Sequence, residues 1–248
     1  MSRRFCACVL LLTVLFVSPA EAQQSDLLSS ADNLELVNVE SKMVEYQGKR
    51  AVNLNGTQQQ GAPDIRGNRP RQAGERAGAG GRGARAESLA ILKGIEFTNG
   101  TIEVELAGRP NQNAGDNARG FIGIAFHVNK SDPIAYDCFY LRPTNGRADD
   151  QLRRNHSCQY MSHPEFPFNV LRRDFPGVYE SYVDLAPAEW TQVKIVVDGE
   201  KAQLYVNGAE QPCLIVNDLK RAGKTGAIAL WMEQSTEAYF RNLVVSEN

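Results

Sequence analysis

From residue 88 onward the sequence is a succession of short runs in which apolar and polar residues alternate. ILKGIEF is followed by TIEVELAG, GFIGIAFHV, AYDCFYLRP, EWTQVKIVVDG, KAQLYVNG, GAIALWM and EAYFRNLVV. Between them stand Asn99-Gly100, Asp198-Gly199, Asn207-Gly208 and the Gly223 to Gly226 stretch. A period of two puts successive side chains on opposite faces of a strand, and Asn-Gly or Asp-Gly supplies the positive φ of a tight hairpin. No stretch holds a helical period, and no internal repeat marks a propeller. These features predict an all-β fold, an antiparallel β-sandwich of jelly-roll type. Residues 33–56 read as its first hairpin: LELVNVE and KMVEYQ lead through Gly48-Lys49 into RAVNLNG.

Two segments stand apart from this pattern. Residues 1–22 carry Arg3 and Arg4, an apolar run from Phe5 to Val17 and an Ala20-Glu21-Ala22 end, the parts of a secretory signal peptide. The apolar run is too short to span a bilayer, so the expectation is a secreted or periplasmic protein cleaved near Ala22, with no membrane span in the mature chain. The mature part, residues 23–248, is expected to be a single β-sandwich domain. It is interrupted at 57–86 by a Gly-, Gln- and Arg-rich insertion nearly free of large apolar residues, which reads as a flexible loop. Of 27 basic and 29 acidic residues, the leader holds Arg3, Arg4 and Glu21; the remainder has net charge −3 and gives no reason to expect a nucleic-acid partner. Past the leader the cysteines are Cys138, Cys158 and Cys213, which permit one bridge and one free thiol without indicating the pairing.

Strand parity sorts candidate surfaces. In residues 120–128, Ile122, Ile124, Phe126 and Val128 fall on one side and Phe121, Gly123, Ala125 and His127 on the other. In residues 135–142, Tyr136, Cys138, Tyr140 and Arg142 form the mixed aromatic and polar side. If these strands pair, His127 shares a surface with the Tyr/Arg ladder, and Trp231, flanked by Ala229 and Ala227, repeats the motif of a large ring beside small residues. A pyranose offers an apolar face to an aromatic ring and hydroxyls to planar polar groups, so this combination points to a carbohydrate ligand. The polar stretch 141–168 follows directly and brings Asn145, Asp149, Asp150, Arg153, Arg154, Asn155, His156 and His163. It is read as a ligand-contacting rim; a solvated loop stapled to itself by Arg–Asp pairs has the same composition. Asp149, Asp150 and His156 are the candidate acid/base groups. In a turn, the adjacent aspartates could also share a calcium ion.

EWTQVKIVVDGEKAQLYVNG at 189–208 and EAYFRNLVV at 237–245, together with GTIEVEL and GFIGIAF, resemble the concanavalin A-like lectin/glucanase superfamily with a laminin-G-like jelly roll. Within it, residues 88–247 look most similar to 3-keto-disaccharide hydrolase-type domains of secreted bacterial proteins. The resemblance implies carbohydrate binding, or cleavage of modified glycosides, with protein adhesion as a third reading. Glucanases of the superfamily carry an E-x-D-x-x-E strand. Here Glu103-Val104-Glu105 is the nearest approach and reads as two outward strand charges.

Overall fold

The computed structural model describes residues 26–57, 87–112, 114–115 and 118–247. The expected leader and residues 58–86 of the insertion lie outside the described residues. In chain order the strands begin β1 (Leu34–Val37), β2 (Val39–Tyr46), β3 (Lys49–Gly56), β4 (Leu89–Leu92), β5 (Gly100–Pro110), β6 (Ile122–Asn129) and β7 (Ala135–Leu141). Two one-turn helices follow, α1 (Pro143–Gly146) and α2 (Gln151–Arg154), then β8 (Cys158–His163), α3 (Phe168–Asp174) and β9 (Glu180–Ser181). The chain ends with β10 (Thr191–Asp198), β11 (Lys201–Val206), β12 (Leu214–Val216), β13 (Ala227–Met232) and β14 (Thr236–Glu247). They form two seven-stranded sheets: sheet A in the order β1-β4-β13-β6-β7-β8-β9, and sheet B in the order β12-β11-β10-β5-β14-β3-β2. The pairings are antiparallel, so the fold is the expected all-β sandwich.

The core lies between the sheets and is dominated by large side chains such as Phe97, Phe126, Phe139, Phe240, Leu54, Ile102 and Leu106. Strands of sheet B show the alternation that built this prediction. In β5, Ile102, Val104 and Leu106 are buried, whereas Glu103 is exposed and Glu105 half-buried. Antiparallel sheets read this way when one face meets the core and the other meets water. The central strands of sheet A behave differently: every residue of β7, and all of β6 but its last, is buried. Its outer face is therefore covered as well.

Three expectations need correction. The segment 33–56 is not one hairpin. Asn38, at φ 53°, turns a corner between β1 and β2, a conformation asparagine tolerates. As a result β1 joins sheet A opposite β4 (Leu34↔Leu92), and only β2 and β3 form a hairpin. Secondly, the polar stretch 141–168 is not all loop, because Cys158–His163 is β8, a buried strand of sheet A. It escapes a period-two search because both its faces are covered, so Gln159 and Ser162 are as buried as Tyr160. Thirdly, His127 does not face outward. The β6–β7 register shifts between Phe126 and Asn129 and His127 adopts φ 52°, a bulge that reverses parity. The ring points into the sandwich between Phe97 and Phe126. There its Nδ1 lies 3.0 Å from Asp137 Oδ2, its Nε2–H donates to the Thr98 carbonyl (2.9 Å), and Tyr160 donates to Asp137 Oδ1 (2.7 Å). Burial first, then the Asp137 carboxylate, pushes the Tyr160 phenol well above its ordinary pKa.

Candidate functional site

Strand register builds the site. Trp231 pairs with Gly123, Gly123 with Tyr140, Tyr140 with Gln159, and Gln159 with Glu180, giving one row across β13, β6, β7, β8 and β9 on the outer face of sheet A. Gly123 is what lets the row close. A Cβ there would meet the Phe139 carbonyl oxygen at 2.2 Å and the Tyr140 Cβ at 2.6 Å, so no larger residue fits beneath the rings. The Tyr140 and Trp231 rings meet with centroids 5.0 Å apart. Two outward-facing pairs farther along, past Cys138 and Met161, Tyr136 faces His163, their rings stacked at 5.2 Å.

Two polar networks cap this aromatic layer. In one, the Trp231 indole donates to the Tyr136 hydroxyl (3.0 Å), which donates to Glu87, and Glu87 Oε1 lies 3.3 Å from His163 Nδ1. In the other, buried Arg142 donates to Tyr140 (2.8 Å), to Gln159 and to the His156 carbonyl (2.8 Å). Its guanidinium is sandwiched among the rings of Phe121, Tyr140 and Phe168, so α3 supplies part of the cover. Arg172, also on α3, holds Glu180 with Nε near both carboxylate oxygens (3.1 and 3.0 Å), and His156 Nε2 lies 3.1 Å from Glu180 Oε1. Each network thus ends in a histidine–carboxylate pair. The side chains of His163 and Glu87 remain 21% and 19% exposed and that of His156 17%, whereas Tyr136, Tyr140 and Arg142 are closed off. The aromatic and arginine layer is thus a support, and the histidine edges are where solvent reaches it.

Burial lowers the His156 pKa; the Glu180 charge opposes this, and Arg172 and Arg142 reinforce it. The folded protein therefore binds this proton less readily than the unfolded chain, whose histidines titrate at about 6.5. The stability contributed is present above that pH and falls as the pH drops below it. Thermal unfolding followed from pH 7.5 to 5.5 should show a decline that is shallower in His156→Gln.

The remaining candidates of the 141–168 stretch hold the crossover to itself. Asp150 caps α2 by accepting from the Arg153 amide (2.9 Å), and Asp149 is exposed. Arg153 donates to the Thr144 carbonyl (3.1 Å) and to Asn145 Oδ1 (3.4 Å); Asn145 donates to the His156 carbonyl (3.3 Å). Arg154 lies over Tyr182, and Asn155 accepts from Gln151. The structure therefore brings Tyr136, Tyr140, Arg142, His156, His163 and Trp231 onto one layer. Asp149, Asp150, Arg153, Arg154 and Asn155 sit on the crossover beside it, and His127 lies in the core. Glu87, Gln159, Arg172 and Glu180 were not picked out from the sequence: Gln159 lies in the unrecognised β8, Glu180 in a two-residue strand, and Glu87 at the end of the insertion. Among the described residues, no group of three or more His, Cys, Asp and Glu could hold a metal ion.

The outer face of sheet B carries a separate open groove of about 410 Å³, bordered by Lys42, Tyr46, Asn53, Asn55, Glu237 and Tyr239. Its polar groups are largely committed to one another: Asn55 donates to Asn53, Tyr239 to Glu237, and Arg109 bridges to Glu237 (2.8 Å). Glu103 and Glu105 also lie on that face, and Glu105 is paired with Lys49 (3.1 Å).

A family model described as 3-keto-alpha-glucoside-1,2-lyase-like domain matches residues 51–246. Among solved structures, a Bacillus subtilis protein of unknown function with a galectin-like fold is 12% identical, covering 88% of this chain and 90% of that one at a TM-score of 0.51. The carbohydrate-binding module CBM66 from Bacillus subtilis is 10% identical, covering 86% of this chain and 98% of that one at a TM-score of 0.48. No curated protein sequence matches.

Proposed function

Because this chain belongs to the 3-keto-alpha-glucoside-1,2-lyase-like domain family, we propose that its carbohydrate ligand is a glucoside oxidised at C3, held at the outer face of sheet A. The observation that carries this reading is the cross-strand layer Trp231–Tyr140–Gln159–Glu180, built over Gly123 and edged by two half-buried histidine–carboxylate pairs. Sugar sites need polar groups fixed in orientation, and here the carboxylates behind His163 and His156 hold two such groups at the solvent-reached edge of the buried aromatic layer.

A second reading, cleavage rather than binding alone, is favoured by His163. Its Nδ1 faces Glu87, which fixes the ring and directs Nε2 away from that carboxylate. A C3 carbonyl acidifies the C2–H bond. A base that takes this proton lets the C1–O bond break, with the electron pair leaving on the departing oxygen, which then gains a proton. His163 is the side chain placed to take the C2 proton, with Glu87 orienting it. We also propose that the chain is exported by its leader; N-terminal sequencing of the exported form should begin near Gln23. Among the described residues no helix is long and apolar enough to cross a membrane.

The test incubates the protein with a panel of glucosides and 3-keto-glucosides, with products read by mass spectrometry and binding by tryptophan fluorescence. The expected result is a product from the 3-keto members alone, reduced on the order of 100-fold or more in His163→Ala. Binding without product would retain the first reading and remove the second. Neither binding nor product would remove both.

A further inference from the structure

The two sheets carry facing thiols. On β8, Cys158 shares the inward side with Tyr160, and its Sγ is fully buried against sheet B. Cys213 lies between β11 and β12, anchored by its amide to the Leu204 carbonyl (2.8 Å). The two sulfurs are 3.9 Å apart. Cys138 is excluded from this pair: it sits opposite Ala125 and Met161, one strand position from inward-facing Phe139, and so belongs to the outer face of sheet A. We propose that Cys158 and Cys213 form an inter-sheet disulfide, closed by exchange with a small disulfide oxidant of the glutathione type.

The geometry asks for a closure from 3.9 Å to about 2.05 Å, which rotation of two short side chains can supply. Access and acidity assign the order of events. Cys213 is half-buried whereas Cys158 is closed off, so the oxidant meets Cys213 first. The hydrogen bond from Cys158 lowers the Cys213 pKa, and the same contact, with burial, raises that of Cys158. The Cys213 thiolate attacks one sulfur of the oxidant, forming a mixed disulfide and releasing one thiolate. Cys158 then loses its proton and attacks the Cys213 sulfur, releasing the second. Two protein thiols are oxidised by two electrons, and one oxidant disulfide is reduced to two thiols. The product ties β8, which carries Gln159 and His163, to the opposite sheet.

Trypsin separates the three cysteines, leaving Cys138 in 131–147, Cys158 in 155–172 and Cys213 in 202–220. After incubation of the full chain with oxidised glutathione, a non-reducing digest should contain 155–172 joined to 202–220, lighter than the two free peptides by two hydrogens. The bridge closes a long loop, so the unfolding midpoint should rise by roughly 10 °C over the reduced form. The rise should persist in Cys138→Ser and vanish in Cys213→Ser. A linked peptide containing Cys138, or no linked peptide in the wild-type chain, would overturn the proposal. So would a linked pair with an unchanged midpoint. The digest of the wild-type chain decides the matter even where a variant fails to fold.

Discussion

Asp137→Ala is expected to cost about 3–5 kcal/mol of folding stability, measured by urea unfolding. The substitution removes a carboxylate that is completely buried and serves both the His127 ring and the Tyr160 hydroxyl. Neither partner can turn to water. His127 is locked between Phe97 and Phe126 with its other nitrogen on the Thr98 carbonyl, and the Tyr160 oxygen already accepts from the Lys220 amide (2.9 Å). Two buried polar groups are orphaned at once, at about 1–3 kcal/mol each, and a cavity is left behind. A domain this size has only about 5–15 kcal/mol in total, so the variant should be visibly less stable at ambient temperature. Adding His127→Phe and Tyr160→Phe should recover part of the loss, because an apolar cluster needs no hydrogen-bond partner. A loss below about 1 kcal/mol in the single variant would mean that the core at this point is wet or relaxed.

The second large effect is expected at Arg142. Its guanidinium bonds Tyr140, Gln159 and the His156 carbonyl and fills the space among three rings. Arg142→Ala should cost about 2–4 kcal/mol by the same measurement, through lost packing as much as lost hydrogen bonds. It should also weaken ligand binding without any direct contact, because Gln159 and the 156–159 backbone lose their anchor. Arg142→Lys should recover little: an ammonium cannot reproduce the planar stack or reach three acceptors in one plane. By contrast, Arg154→Ala, at a half-buried arginine whose head lies over Tyr182, should change stability by less than about 0.5 kcal/mol.

The sandwich was legible because strands of sheet B such as β5, β10 and β11 obey simple alternation. Ile102-Glu103-Val104-Glu105-Leu106 reads directly as a strand with one wet face. The shared face of the candidate residues was legible from parity: Tyr136, Tyr140 and Arg142 lie on one side of β7 and its extension, and Trp231 reaches that side through register. What failed did so where one residue changes the count or where both faces are dry. Asn38 redirects a strand to the other sheet, and the bulge at His127 reverses a parity that held as far as Phe126. β8 offered no alternation, because its outward residues Gln159 and Met161 are as covered as its inward Tyr160. The role of the 141–168 polar stretch is mixed for a related reason. Asp150 and Arg153 satisfy the backbone of a crossover that has no sheet partner, whereas the two histidines of the stretch end on carboxylates brought in from distant segments, Glu87 and Glu180. Nothing local in a sequence announces such pairs.

The outer face of sheet A, not the groove on sheet B, is the face we propose for the sugar. Amide hydrogen exchange with and without a saturating 3-keto-glucoside reads this directly. New protection is expected in β8, around His163, and in the 164–180 segment that carries α3, with β2, β3 and β14 unchanged. Protection confined to the strands bearing Tyr46, Asn53 and Tyr239 would contradict it and move the site to the opposite face of the sandwich.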